Sequence, residues 1–288
     1  MIHRHRKPAA FTIVELMVAI VIVLILLSIF VPYLMSIREE SRRLMCNDNL
    51  RQIANGLWRY INDNNQEFPR VTYDPAKLPD GYTAFTGAND DNPFNPGADP
   101  ANDVKPSDVT ASLFLLIRLD LVDPKAFVCP SSDDEPDRID DRSKRSNFSS
   151  PKNLSYSYAM PFSSSPDYRF NRDRLKSTFV LLADKNPGVG DSSDPSSVSR
   201  DDGKPLDFAK ANSPNHNRAG QNILDATGAI GFKSTPYCGP GDDNIYTAQA
   251  SSPTTQPTSN PDLNGVIGIT IGPARPDDSY LVPTATDK

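Results

Sequence analysis

Two hydrophobic patterns succeed one another along the chain. From Leu16 to Ile37 no residue is charged, and Leu, Ile, Val, Met and Phe dominate all round. That run meets the length of about 20 mostly apolar residues that a membrane-spanning helix needs. After the charged SIREESRR stretch (Ser36–Arg43) the pattern becomes one-sided. Leu50, Ile53, Ala54, Leu57 and Ile61 recur at i, i+3, i+4, i+7 and i+11, which is a single helix face. One helix is therefore predicted to run on through both patterns and to fade near Asp63–Asn65, ahead of Pro69. Counted from Phe11 it would extend about 80 Å at 1.5 Å per residue.

Beyond Pro69 the period shortens. Leu154–Met160, Thr178–Ala183, Gln221–Leu224, Ala229–Phe232 and Gly265–Gly272 read as strands, and Asp225-Ala-Thr-Gly228 suits a tight hairpin turn. Ser112–Leu121 reads as a short helix beneath the sheet. Asp74–Asp108 is rich in Pro, Gly, Asn and Asp and reads as a loop. Its acids do not follow the calcium-loop spacing D-x-[DN]-x-[DN]-G, so a solvated loop is the expectation there rather than a calcium site. Asp133–Arg145 mixes both signs of charge and reads as a surface turn. Segments 188–204 and 248–261 are low-complexity Ser, Pro, Thr and Asp tracts. The fold class expected is α+β, with a long N-terminal helix, half in the membrane and half exposed, laid against an antiparallel sheet with long loops. The divisions are 1–10, 11–35 for the membrane helix, 36–66 for its continuation and 67–288 for a loop-rich β domain.

Composition narrows the function classes. All but Pro8 and Pro32 of the 27 prolines lie from Pro69 onward, so only the first part of the chain can be continuously helical. The net charge of −6 argues against a nucleic-acid binder, which would carry a basic patch. There are three cysteines, Cys46, Cys129 and Cys238, and three histidines, of which His3 and His5 precede Phe11. His216 has no second histidine or nearby cysteine at a metal-ligand spacing, so a structural hydrogen bond in a loop is expected of it and no metal or cofactor is predicted. No nucleophile-elbow or phosphate-loop pattern occurs, and no small-molecule substrate or catalytic residue is evident. Trp58 is expected to pack under the sheet.

Glu15 is the anomaly, a carboxylate at the mouth of an apolar run. The ten Leu, Ile and Val residues between Leu16 and Leu27 outweigh one acid near the membrane edge, yet an intramembrane acid calls for a partner. A cleaved secretory signal would show a shorter apolar core and a small-residue cleavage site, which SIFVPYLMSIREE lacks. A plain anchor has no use for Glu15. A type IV prepilin signal has: a short basic leader (Arg4, Arg6, Lys7), a cut just before Phe, and Glu at the fifth mature position.

AFTIVELMVAIVIVLILLSIFVP resembles the prepilin-type cleavage and methylation segment of type IV pilins and type II secretion pseudopilins. The resemblance implies cleavage between Ala10 and Phe11, N-methylation of Phe11, subunit assembly through Phe11 and Glu15, and a helix kink at Pro32. The residue before the cut is Ala10, where Gly is usual. Arg42, Cys46, Asn49, Leu50, Arg51, Gln52 and Ile53 are similar to the R-x-x-C-x-x-N-L-(K/R)-Q-I run of a bacterial family with a prepilin signal and a pseudopilin-like periplasmic domain. LFLLIRLDLVDPKAFVCPSS, STFVLLADKNPG and NHNRAGQNILDATGAIGF resemble its later segments. There Thr227-Gly228-Ala229-Ile230 replaces the usual Asp-Gly-His-Val.

The partners implied are a prepilin peptidase/methyltransferase, other pilin-like subunits and membrane lipid. The location implied is the bacterial inner membrane, single-pass, with the N-terminus cytoplasmic. Export to an oxidising compartment makes Cys46 and Cys129 candidates for a disulfide, against the alternative of two buried thiols. The function expected is that of a structural, non-enzymatic subunit of an envelope filament for secretion or a pilus. The alternative is a membrane-tethered binding module that does not polymerise.

Overall fold

The computed structural model describes residues 12–71, 108–163, 168–188, 193–195, 208–247, 279 and 281. Contacts divide the chain into two compact units, Met1–Ser41 and Arg42–Lys288. The fold is α+β, a long N-terminal helix and a four-stranded antiparallel sheet, consistent with the pilin-like class.

Helix α1 covers Ile13–Asp63, with Pro32 inside it. In the first unit its apolar side chains are exposed all round, from Ile13 at 78% to Leu34 at 38%. A helix apolar on every side needs a nonaqueous environment to cover it. In the second unit only one face is apolar, and Cys46, Leu50, Ile53, Leu57 and Ile61 on it are completely buried. The helix stops as the sequence suggests. Asn65 and Gln66 take left-handed backbone angles (φ 53° and 63°), and the Gln66 N–H returns to the Ile61 carbonyl at 2.8 Å.

Helix α2 is Val109–Arg118, shifted three residues toward the N-terminus of the predicted Ser112–Leu121. The cause is Asp108, an N-cap whose carboxylate accepts from the Ala111 N–H at 2.9 Å and the Thr110 hydroxyl at 3.1 Å. Every residue from Val109 to Ile117 is buried. Phe114 meets Phe148 edge-on at 5.3 Å, and Phe127 meets the same ring at 5.4 Å.

The sheet is a meander of β1 (Tyr156–Tyr158), β2 (Val180–Asp184), β3 (Gln221–Asp225) and β4 (Ile230–Lys233), in that spatial order. Each strand lies within or beside a segment read as a strand from its pattern. Tyr156 faces Asp184 across β1 and β2, Ala183 faces Ile223 across β2 and β3, and Leu224 faces Ile230 across β3 and β4. All five residues of β2 are buried, as for a central strand covered on both faces. A register shift between Val180 and Leu182 bends β2.

The turn between β3 and β4 is held by the Asp225 carboxylate, which accepts from the Thr227 and Ala229 N–H groups at 2.9 and 3.0 Å. Gly228 sits there at φ +92°, and a Cβ would come within 2.8 Å of Trp58 Cζ2. Trp58 thus packs at the edge of the core, with the Arg172 guanidinium over its ring at 5.0 Å from the centroid. The predicted strand at Gly265–Gly272, Ala10 and Phe11, and nearly all of the Asp74–Asp108 loop and of the low-complexity segments 188–204 and 248–261 lie outside the described residues.

Candidate functional site

Two places combine polar chemistry with an apolar setting. The first is the start of α1. The Thr12 N–H and hydroxyl both donate to Glu15 Oε2, at 2.9 and 2.8 Å, and the Glu15 N–H returns to the Thr12 hydroxyl at 3.2 Å. This is a reciprocal capping box, T-x-x-E, satisfying backbone donors that the first helical turn leaves open. The pattern is legible in the sequence Thr12-Ile13-Val14-Glu15. Glu15 therefore has a local role as well as any role between subunits. Both of its accepted bonds fall on one oxygen.

The second place was not foreseen. Cys46 on α1, Cys129 after the 3-10 turn Pro124–Phe127, Asp184 at the end of β2 and His216 before β3 converge in the interior of the second unit. Sγ of both cysteines, one carboxylate oxygen and a ring nitrogen lie within 4.8 Å of one another. All four residues are completely buried. The sequence offers no cysteine at metal-ligand spacing from His216, yet the fold brings Cys129 Sγ to 3.5 Å from its Nε2. Linear spacing failed because the four groups come from four separate segments and meet only through tertiary packing.

Each group is held in place. The Cys46 thiol donates to Asp184 Oδ1 at 3.2 Å and lies 3.2 Å from the Tyr156 hydroxyl. Cys129 Sγ is 3.5 Å from His216 Nε2 and accepts from the Ser131 N–H at 3.4 Å. Asp184 Oδ2 accepts from the Asn222 N–H at 2.6 Å and stands 3.4 Å from His216 Nε2, while Asn215 Nδ2 donates to Oδ1 at 3.2 Å. Asn222 Nδ2 lies 2.9 Å from His216 Nε2. His216, Asn217 and Arg218 all adopt left-handed backbone angles (φ 55°, 55° and 60°), a conformation that non-glycine residues keep only when their surroundings enforce it.

Electrostatics at the cluster are asymmetric. The adjacent Cys46 sulfur and His216 draw Cys129 down to about 7, against the upward push of burial. Burial drives the Cys46 thiol far up, and burial likewise raises Asp184. The arrangement is not that of a nucleophile–histidine–acid relay, where sulfur and carboxylate contact opposite ring nitrogens. Here Cys129 and Asp184 approach the same nitrogen, Nε2, and all the groups are shut off from solvent. Cys46, Cys129 and Cys238 are free thiols.

Residues 5–31 match the model of the prokaryotic N-terminal methylation motif. No curated protein matches the chain, and no solved structure does. The motif, followed by a helix long and apolar enough to cross a membrane, fits a pilin or pseudopilin-like protein. In particular, the motif supports a type IV pilin-like substrate of prepilin peptidase and implies association with other pilin-like subunits. The same features favour single-pass anchoring in the inner membrane and a structural subunit over an enzyme.

Proposed function

We propose that the chain is a pseudopilin or minor-pilin-like subunit of an envelope filament, serving type II secretion or a type IV pilus. Prepilin peptidase cuts between Ala10 and Phe11 on the cytoplasmic face, and the new Phe11 amine is methylated. The helix then stays in the membrane with its N-terminus cytoplasmic and the α+β unit outside. The observation carrying this reading is Glu15 inside the matched motif, at the mouth of a helix exposed and apolar all round. When such helices pack, a carboxylate leaving water requires a positive partner. The neighbour's Phe11 ammonium supplies one and fixes the register between subunits. Pro32 within the helix gives a point where it can bend against those neighbours.

The test uses the full chain in a host with prepilin peptidase. Mass spectrometry of the mature N-terminus is expected to find methyl-Phe11, and cysteine crosslinking along the membrane helix is expected to trap pairs of pilin-like subunits. An intact Met1, with the chain monomeric in the membrane, would leave only a tethered binding module.

A further inference from the structure

We propose that Cys46, Cys129, Asp184 and His216 form a structural zinc site that staples the outer unit together. Two thiols and a carboxylate lie side by side in the buried interior beside the His216 ring, and among the described residues no lysine or arginine donates a hydrogen bond to any of the three. Neutral donors from Asn215, Asn222, Ser131 and Tyr156 surround them instead. A protonated His216 balances at most one negative charge there, whereas a divalent metal lets the carboxylate and both sulfurs be held ionised together.

The ligand set and its dimensions select the ion. Two sulfurs disfavour calcium and magnesium, which take oxygen ligands, whereas Cys and His with one carboxylate suit tetrahedral zinc. With Zn–S near 2.3 Å and Zn–N and Zn–O of about 2.0–2.2 Å, the edges of a tetrahedron are about 3.4–3.8 Å. The observed Cys129 Sγ to His216 Nε2 distance is 3.5 Å and His216 Nε2 to Asp184 Oδ2 is 3.4 Å, two edges of that size, and the four ligand atoms all lie within 4.8 Å of one another. The cluster thus already stands close to the size of a coordination shell. Four protein ligands and complete burial leave no open position, the mark of a structural rather than a catalytic site.

The surroundings fit that role. Asn222 Nδ2 lies 2.9 Å from His216 Nε2; in the tautomer with Nε2 unprotonated this nitrogen presents the lone pair a metal needs, and coordination replaces that contact while Asn222 Nδ2 keeps Asp184 Oδ2 at 3.2 Å. Asn215 and the Asn222 N–H orient the carboxylate, the kind of outer-shell support that ligating carboxylates receive. On binding, each thiol forms a Zn–S bond and gives its proton to solvent, while Asp184 and His216 donate lone pairs. The ion would join α1, the segment after Phe127, the end of β2 and the loop before β3. A Cys46–Cys129 disulfide would use the same sulfurs and so compete with the metal for them.

The test is metal analysis of the full chain purified in mild detergent without chelator. About one zinc per chain is expected, along with strong visible bands and thiolate-to-metal charge transfer after exchange for cobalt(II). Cys238→Ser should keep the metal, while Cys129→Ser and His216→Gln should lose at least tenfold in zinc affinity. Because those variants may fail to fold, the wild type carries a second readout. Zinc should protect two of its three thiols from alkylation, and chelation should expose them and lower Tm. A Cys46–Cys129 disulfide found by non-reducing peptide mapping of the native protein would overturn the proposal. So would a reduced chain that takes up no cobalt in tetrahedral form.

Discussion

The two halves of α1 use the same residue types to opposite ends. Leu24 and Ile25 are more than half exposed, whereas Leu50 and Ile53, on the same helix, are completely buried. The difference lies in the distribution of polar residues. Up to Ile37 there is no polar stripe, so the helix has no side to turn toward water and its cover comes from outside the chain. From Ser41 onward, Arg42, Arg43, Asp48, Arg51 and Gln52 interrupt the apolar positions and leave one stripe for the chain's own core. A helix of uniform surface suits repeated association with copies and lipid, and a striped one suits a single fixed fold.

The sharpest way to break this comparison is at Glu15. Glu15→Ala should leave membrane insertion and cleavage intact and abolish incorporation into filaments, read by shear-fraction immunoblotting. Glu15→Gln separates the two roles of the side chain. A glutamine still closes the capping box with Thr12, so the first turn of the helix persists while the charge is gone. Both variants should fail to assemble if the charge matters between subunits. If Glu15→Gln assembles normally, the carboxylate serves its own helix alone and the register argument falls. In either case the melting temperature of the outer unit should not move.

The second half predicts the reverse. Leu57 is completely buried in the core shared by α1, α2 and the sheet. Leu57→Ala removes its methyl groups and leaves a cavity, a change that costs about 2–5 kcal/mol. Thermal or denaturant unfolding of the full chain should show that loss, while the mass of the mature N-terminus stays that of the wild type. A destabilisation below about 1 kcal/mol would mean that this face is covered less tightly than its burial indicates.

The same contrast explains what the sequence disclosed. The α1 stripe, its end before Pro69 and the β3–β4 turn were legible because their signals are local: a repeat of three and four residues, and an Asp with a Gly three positions on. Strand positions followed from short apolar runs, though β1 is only Tyr156–Tyr158 because its flanks are taken by other bonds. The start of α2 was misplaced because Val109 and Thr110, poor helix formers, hid behind a cap that the pattern did not weigh. The cysteine–aspartate–histidine cluster was invisible for another reason. Its members are separated by 83, 55 and 32 positions, being residues 46, 129, 184 and 216. No local period links them, and only β2 pairing with both neighbours brings Asp184 beside Tyr156 and Asn222.

The smallest effect tests whether the striped half is specified by its polar side as well as its apolar one. Arg51 pairs with Asp48 at 2.7 Å one turn earlier, and both side chains are about two-thirds exposed. Solvent screening and the entropy of holding two long side chains offset most of the Coulomb attraction of such a pair. Arg51→Ala also places a strong helix former at the position, which offsets part of what is lost. The net change in unfolding free energy should therefore stay within about 0.5 kcal/mol, an order of magnitude below Leu57→Ala, although the two positions are six residues apart on one helix. A loss of more than about 1 kcal/mol would place Arg51 in a contact with another part of the folded chain, and the division of this helix into a packed face and a solvated one would have to be redrawn around it.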